Sequence, residues 1–149
     1  MRRKMLLGLA VLLVVVSTST VYAQNAAIQF EAIDFACDGG NIILSEEPLI
    51  AGESIVTVTD VIKKTFFVDA TFFPTAFPGS TWVLPGRGQE LPDNDFVVHH
   101  QGVGTGELEG GKIKLKVTPV NDAPPPGCNL VGPVVLLDGV IIFPPGQAP

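Results

Sequence analysis

The chain has 149 residues, a formal net charge of −6 and a 46% hydrophobic composition, with only two cysteines and two histidines. Acidic residues without a compensating basic cluster repel phosphate backbones, which excludes nucleic acid as a partner and weighs against anionic lipid surfaces. Two histidines and no G-x-S-x-G turn leave little material for nucleophilic catalysis.

Residues 1–23 have the makeup of a secretory signal-peptide helix. Arg2, Arg3 and Lys4 form a positive start, residues 5–16 an apolar stretch, and Val21-Tyr22-Ala23 a small-residue cleavage site. The apolar stretch falls short of the ~20 residues a membrane-spanning helix needs, and no cysteine near Ala23 could carry a lipid. The expectation is therefore cleavage after Ala23, a secreted or periplasmic location and no stable membrane insertion afterwards. Residues 24–149 would then form one domain with six Lys/Arg against fifteen Asp/Glu, a net charge of −9.

Beyond Gln24, valine, isoleucine, threonine and phenylalanine alternate with polar residues, and glycine and proline recur too often for long helices. This pattern predicts seven to nine short strands. Residues 28–35 read as a strand with a change of phase near Ala32, which suggests a bulge. Shorter runs follow at 41–44 and 53–61. Residues 65–73 place Phe66, Val68, Ala70 and Phe72 on one apolar face. Phe67 and Phe73 lie opposite, with Phe77 beyond, either as an exposed aromatic patch or packed beneath a loop. Runs at 81–84 and 96–102 come next. Residues 112–117 alternate strictly, Ile113, Leu115 and Val117 against Lys112, Lys114 and Lys116, so the lysines read as a solvated outer face. Residues 119–127 (PVNDAPPPG) read as a long surface loop. Residues 134–143 are either two strands joined at Asp138-Gly139 or one long strand with a bulge there. Residues 144–149 read as a loose tail.

Cys37 and Cys128 are expected to pair in an oxidising compartment, the long loop they close giving roughly 4–5 kcal/mol at most. His99 and His100, adjacent on a strand, point to opposite faces and cannot serve one site together, which argues against a zinc set made with the cysteines. Glu107 and Glu109 would share one strand face, and Asp93 and Asp95 flank Asn94 in a loop. Paired carboxylates suit acid–base work or calcium, but the Asp93-Asn94-Asp95 triplet lacks the glycine and distant glutamate of an EF-hand. No catalytic, metal or cofactor set emerges.

The densest motif is the glycine run Gly102, Gly104, Gly106, Gly110 and Gly111, whose alternating start permits close backbone approach or a bend at a barrel corner. No helix pattern or Lys-Ser/Thr ending follows, so it is not a P-loop. Gly104-Thr105-Gly106-Glu107-Leu108-Glu109-Gly110, followed by an alternating strand, resembles the G-x-G-x-(F/L)-x-G segment of the allene oxide cyclase/dirigent-like barrels, within the calycin-like group. The resemblance spans residues 102–117 and implies an eight-stranded antiparallel barrel with an apolar lumen. Counterparts of the family's catalytic residues are not found, so no enzymatic role carries over. Separately, Val117-Thr118-Pro119-Val120-Asn121-Asp122-Ala123-Pro124 is similar to the linker between cadherin-like or immunoglobulin-like repeats, where asparagine and aspartate help bind calcium.

The expected fold is thus all-β, an antiparallel barrel of about eight strands, with an immunoglobulin-like or other β-sandwich as the alternative. Three functions follow in order. The first is a non-enzymatic exported barrel holding a small apolar ligand. The second is a structural or adhesive, calcium-stabilised sandwich module. The third is an enzyme with an unrecognised site, for which substitution of His99, Glu107 and Asp95 would be the test.

Overall fold

Period-two alternation over eight segments produces eight strands, each with one face turned to a shared interior. The structure, a computed structural model, describes residues 26–149; the expected signal lies outside them. The strands are β1 (Ala26–Cys37), β2 (Gly40–Leu44), β3 (Gly52–Ile62), β4 (Thr65–Pro74), β5 (Trp82–Leu91), β6 (Asp95–Gly104), β7 (Lys112–Pro119) and β8 (Leu130–Phe143). Each pairs antiparallel with the next, and β8 returns to β1, so the sheet is a closed barrel and the sandwich alternative is set aside. Closure removes the sheet edges on which strands otherwise aggregate.

The two clearest alternations fall as read. On β7, Ile113, Leu115 and Val117 are buried and Lys112, Lys114 and Lys116 are exposed. On β4, Val68, Ala70 and Phe72 are buried in the lumen, with Phe66 partly covered on the same face. Residues 134–143 belong to one strand, and pairing with β1 and β7 runs through Asp138-Gly139 without a bulge. Gly139 is needed there because a Cβ would meet the Lys114 carbonyl and the Phe30 ring. An Asp-Gly pair signals a hairpin only when neighbouring strands do not hold both flanks in register.

β1 corrects the expected bulge near Ala32. Pairing with β8 is regular through Ala32, and the shift lies between Phe35 and Cys37. Phe30, Ala32 and Asp34 all face the lumen, while Ile33, Phe35 and Cys37 face outward. The outward residues are apolar because the 120–129 loop folds over them. Phe35, Cys37, Cys128 and Val134 form a satellite cluster there, joined by Val120. The Cys37–Cys128 disulfide ties that loop to the end of β1, and the Asp38 amide donates to the Asn129 carbonyl at 2.7 Å.

The barrel's two ends differ. At one, the 45–51, 75–81 and 105–111 connections fold inward, and Leu49, Ile50 and Leu108 close the lumen against Trp82 and Phe143. Trp82 Nε1 donates to the Leu49 carbonyl at 2.9 Å, and its ring lies 6.1 Å from that of Phe143. Phe77 also packs against this plug. Gly111 belongs to the same construction, since a Cβ would overlap both the Trp82 and Phe143 rings. At the other end lie the β1–β2, β3–β4 and β5–β6 turns and the disulfide-tied loop.

Candidate functional site

Away from the plug the lumen stays open. A cavity of about 440 Å³ is lined by side chains of every strand except β5. Its walls are mainly apolar: Phe66, Val68, Ala70 and Phe72 from β4, Phe96 and Val98 from β6, and Val135 and Leu137 from β8. The Phe66 and Phe96 rings meet edge to face, centroids 6.3 Å apart.

Strand lengths set the opening. β2 is five residues long, and β3 eleven. β3 therefore pairs with β2 only through Gly52, Glu53 and Ser54, and its remaining length runs on with β4 alone. Val56 and Val58 line this side of the cavity yet are 45% and 56% exposed. They form an apolar rim rather than core.

Glycines on β5 supply the width. Gly86 and Gly88 pair with His100 and Val98 of β6. A Cβ on Gly86 would overlap the His100 ring, and one on Gly88 the Phe66 ring. The two rings occupy the space that side chains on β5 would take. This explains why β5 runs on to Leu91 rather than ending at Leu84 as its sequence suggested. Pro85 lacks an N–H, and the β6 ladder passes over Leu84 and Pro85.

Among the described residues two ionisable side chains line the cavity, each only 5% exposed: Asp34 of β1 and His100 of β6. Ser54 Oγ donates to Asp34 Oδ2 at 2.7 Å. Among the described residues Asp34 Oδ1 has no hydrogen-bond partner. Burial pushes the carboxyl up from 3.8 to about 6, against a smaller opposing pull from the Ser54 bond. His100 Nδ1 lies 2.9 Å from the Leu84 carbonyl. A carbonyl only accepts, so Nδ1 carries the proton and the neutral ring offers Nε2 as an acceptor. Burial lowers the pKa of this histidine, with backbone hydrogen bonds partly offsetting the effect.

The Asp34 environment gives stability a pH dependence of definite sign. Between pH 3.8 and about 6 the folded carboxyl holds a proton that the unfolded one has lost. Its contribution is therefore complete below 3.8 and disappears as pH rises through about 6. At 1.36 kcal/mol per unit, the difference is about 3 kcal/mol. Asp34→Asn mimics the protonated form, so its stability relative to the parent should rise by up to about 3 kcal/mol between about pH 4 and pH 7. Urea unfolding across that range checks this, and a difference independent of pH would contradict it.

The residues singled out from sequence fall elsewhere, with one exception. Cys37 and Cys128 form the disulfide, so neither thiolate is free for a metal. His99 is exposed and His100 buried, on opposite faces of β6 as adjacency required. Glu107 and Glu109 do not share a strand face. Gly106–Leu108 is a 3₁₀ turn at the plugged end, with Glu109 directly after it. Gly106, at φ +63°, makes that turn instead of a strand. Asp93 and Asn94 adopt left-handed backbone in the β5–β6 turn, and the Asp95 carboxylate accepts from the Phe96 amide at 2.9 Å. Phe73 is exposed on the outer face of β4 while Phe77 joins the plug, so the three phenylalanines form no single patch. Asp122 accepts from the Ala123 amide at 2.8 Å within its loop. Among the described residues, no three of His, Cys, Asp or Glu gather as a metal site. His99, Glu107 and Asp95 do not line the cavity, so chemistry there would have to use Asp34 and His100.

Asp34 escaped the sequence reading. The supposed phase change at Ala32 hid it, although Phe30, Ala32 and Asp34 keep one parity and place a carboxylate on an apolar face.

Comparison with protein-family models, curated proteins and solved structures finds no match to this chain. The geometry of the lumen is what bears on function. Among the described residues no helix is long and apolar enough to cross a membrane.

Proposed function

We propose that this protein is an exported β-barrel that holds a small apolar molecule in its lumen. The observation that carries this reading is the cavity, closed at one end by Trp82 and Phe143 and open at the other beside Val56 and Val58. Its volume of about 440 Å³ falls in the ~300–1,000 Å³ range of small-molecule sites, and its walls are apolar with a few fixed polar groups. Export is supported by the signal-like residues 1–23 and by the disulfide, which suits an oxidising compartment. The barrel architecture agrees with what the allene oxide cyclase/dirigent-like resemblance implies, and we include that kinship in the proposal.

Titration with the neutral fluorophore N-phenylnaphthylamine tests the reading. Saturable one-site enhancement is expected, with affinity reduced at least about tenfold in Ala70→Phe, whose ring would occupy the lumen. Circular dichroism would confirm that the variant folds. No saturable binding, or equal binding by a folded Ala70→Phe, would contradict the proposal.

A further inference from the structure

The polar inventory of the lumen is one-sided. Its charged side chain is Asp34, its neutral His100 offers an acceptor nitrogen, and among the described residues neither lysine nor arginine lines it. Ser54 could donate, but its hydroxyl is committed to Asp34 Oδ2. Asn41 adds one amide that both donates and accepts. Asp34 is buried among apolar walls with Oδ1 unpartnered. A buried carboxylate oxygen without a donor is costly, and a ligand that brings the donor recovers that cost on binding. A ligand carboxylate would meet a like charge and bring no donor.

We propose that the lumen selects apolar amines, the ligand's ammonium group donating to Asp34 Oδ1 while its hydrocarbon part lies against the β4 and β6 walls. This rests on the reading of the lumen as an apolar-ligand site and names the ligand's polar end. Charge-assisted hydrogen bonds to a carboxylate are about twice as strong as neutral ones, so an amine gains more here than an alcohol of equal length. Across from Asp34 stand Ile43 of β2 and Val135 of β8, with Ser54 of β3 bonded to its carboxylate, none of which titrates. Among the described residues the only other ionisable group lining the cavity is His100. At acidic pH Asp34 gains a proton and His100 moves toward its cationic form, and both changes weaken ammonium binding.

The test is competition against bound N-phenylnaphthylamine by octylamine, 1-octanol and octanoate at pH 7.5 and pH 5. At pH 7.5 octylamine is expected to displace the fluorophore at roughly tenfold lower concentration than octanol, with octanoate weakest. The advantage of octylamine should shrink at pH 5 and vanish in Asp34→Asn, while octanol is unaffected by the substitution. If octanol displaces the fluorophore and octylamine is no better, the lumen reading stands and the amine proposal falls. It falls too if the amine advantage survives in Asp34→Asn, which would place the ammonium on the acidic exterior. If the fluorophore itself does not bind, both fall.

Discussion

Trp82→Ala is expected to lower the unfolding free energy by about 4–5 kcal/mol, the largest single-residue effect in this barrel. Truncating a fully buried tryptophan typically costs about 3–5 kcal/mol, because the surroundings relax only partly around the void. Trp82 is fully buried in the plug among Leu49, Leu108 and Phe143. The substitution also strands the Leu49 carbonyl, which loses the Nε1 donor. An unsatisfied buried acceptor adds about 1–3 kcal/mol, while collapse of the 45–51 connection into the void returns part of it. Trp82→Phe keeps most of the packing and loses the donor, so a smaller loss of about 1–3 kcal/mol is expected. Guanidinium unfolding of the three proteins separates these contributions. A loss below about 2 kcal/mol for Trp82→Ala would mean that the plug is not tightly packed.

Removing the Cys37–Cys128 bond, as the double Cys→Ser variant, is expected to cost about 2–5 kcal/mol. The bonded residues are 91 positions apart in sequence, so the bond excludes many extended conformations of the unfolded chain. It has a local role as well. Both sulfurs sit in the satellite cluster with Phe35 and Val134, outside the barrel wall. Without the tether, the loop should lift from Phe35 and expose an apolar patch beside the cavity mouth. Amide exchange should therefore accelerate most at Asp38 and Val120, whose amides bond to the Asn129 and Val134 carbonyls, and least near Trp82. Uniform acceleration along the chain would show a tether acting only on the unfolded state.

Much of the wall was legible because alternation is local. β7 and β4 each state their inward face within eight or so residues, and that face is set by whichever parity is apolar. Barrel closure was not legible in the same way. Pairing of Ile28 with Ile141 depends on register between strands at opposite ends of the domain, and no local pattern encodes it. The glycine-rich hairpin after Gly102 pointed toward a barrel through resemblance rather than through register.

The misreadings have specific causes. Asp138-Gly139 carries a hairpin signal, but Gly139 is there for the Phe30 ring and the Lys114 carbonyl. The run read at 81–84 stops short of Gly86 and Gly88, which continue β5 and give room to His100 and Phe66. Ile33, Phe35 and Cys37 disturbed the alternation of β1 because the distant 120–129 loop covers the outer face of that strand. That disturbance concealed the inward parity of Asp34, and with it the polar anchor of the lumen. The wall could be read from neighbouring residues, whereas the site depends on what lies across the barrel.

The central assignment is an apolar molecule held inside the lumen, and a fluorophore signal alone does not say where the fluorophore sits. Methyl spectra of isotope-labelled protein during the N-phenylnaphthylamine titration do. Val68, Val98, Val117 and Leu137 line the cavity, whereas Val83, Val103 and Val131 are exposed outside it. Saturable shifts are expected in the first group, with Ala70, and none in the second. Shifts confined to the exposed valines, or no shifts at saturating fluorophore, would contradict a ligand-holding lumen.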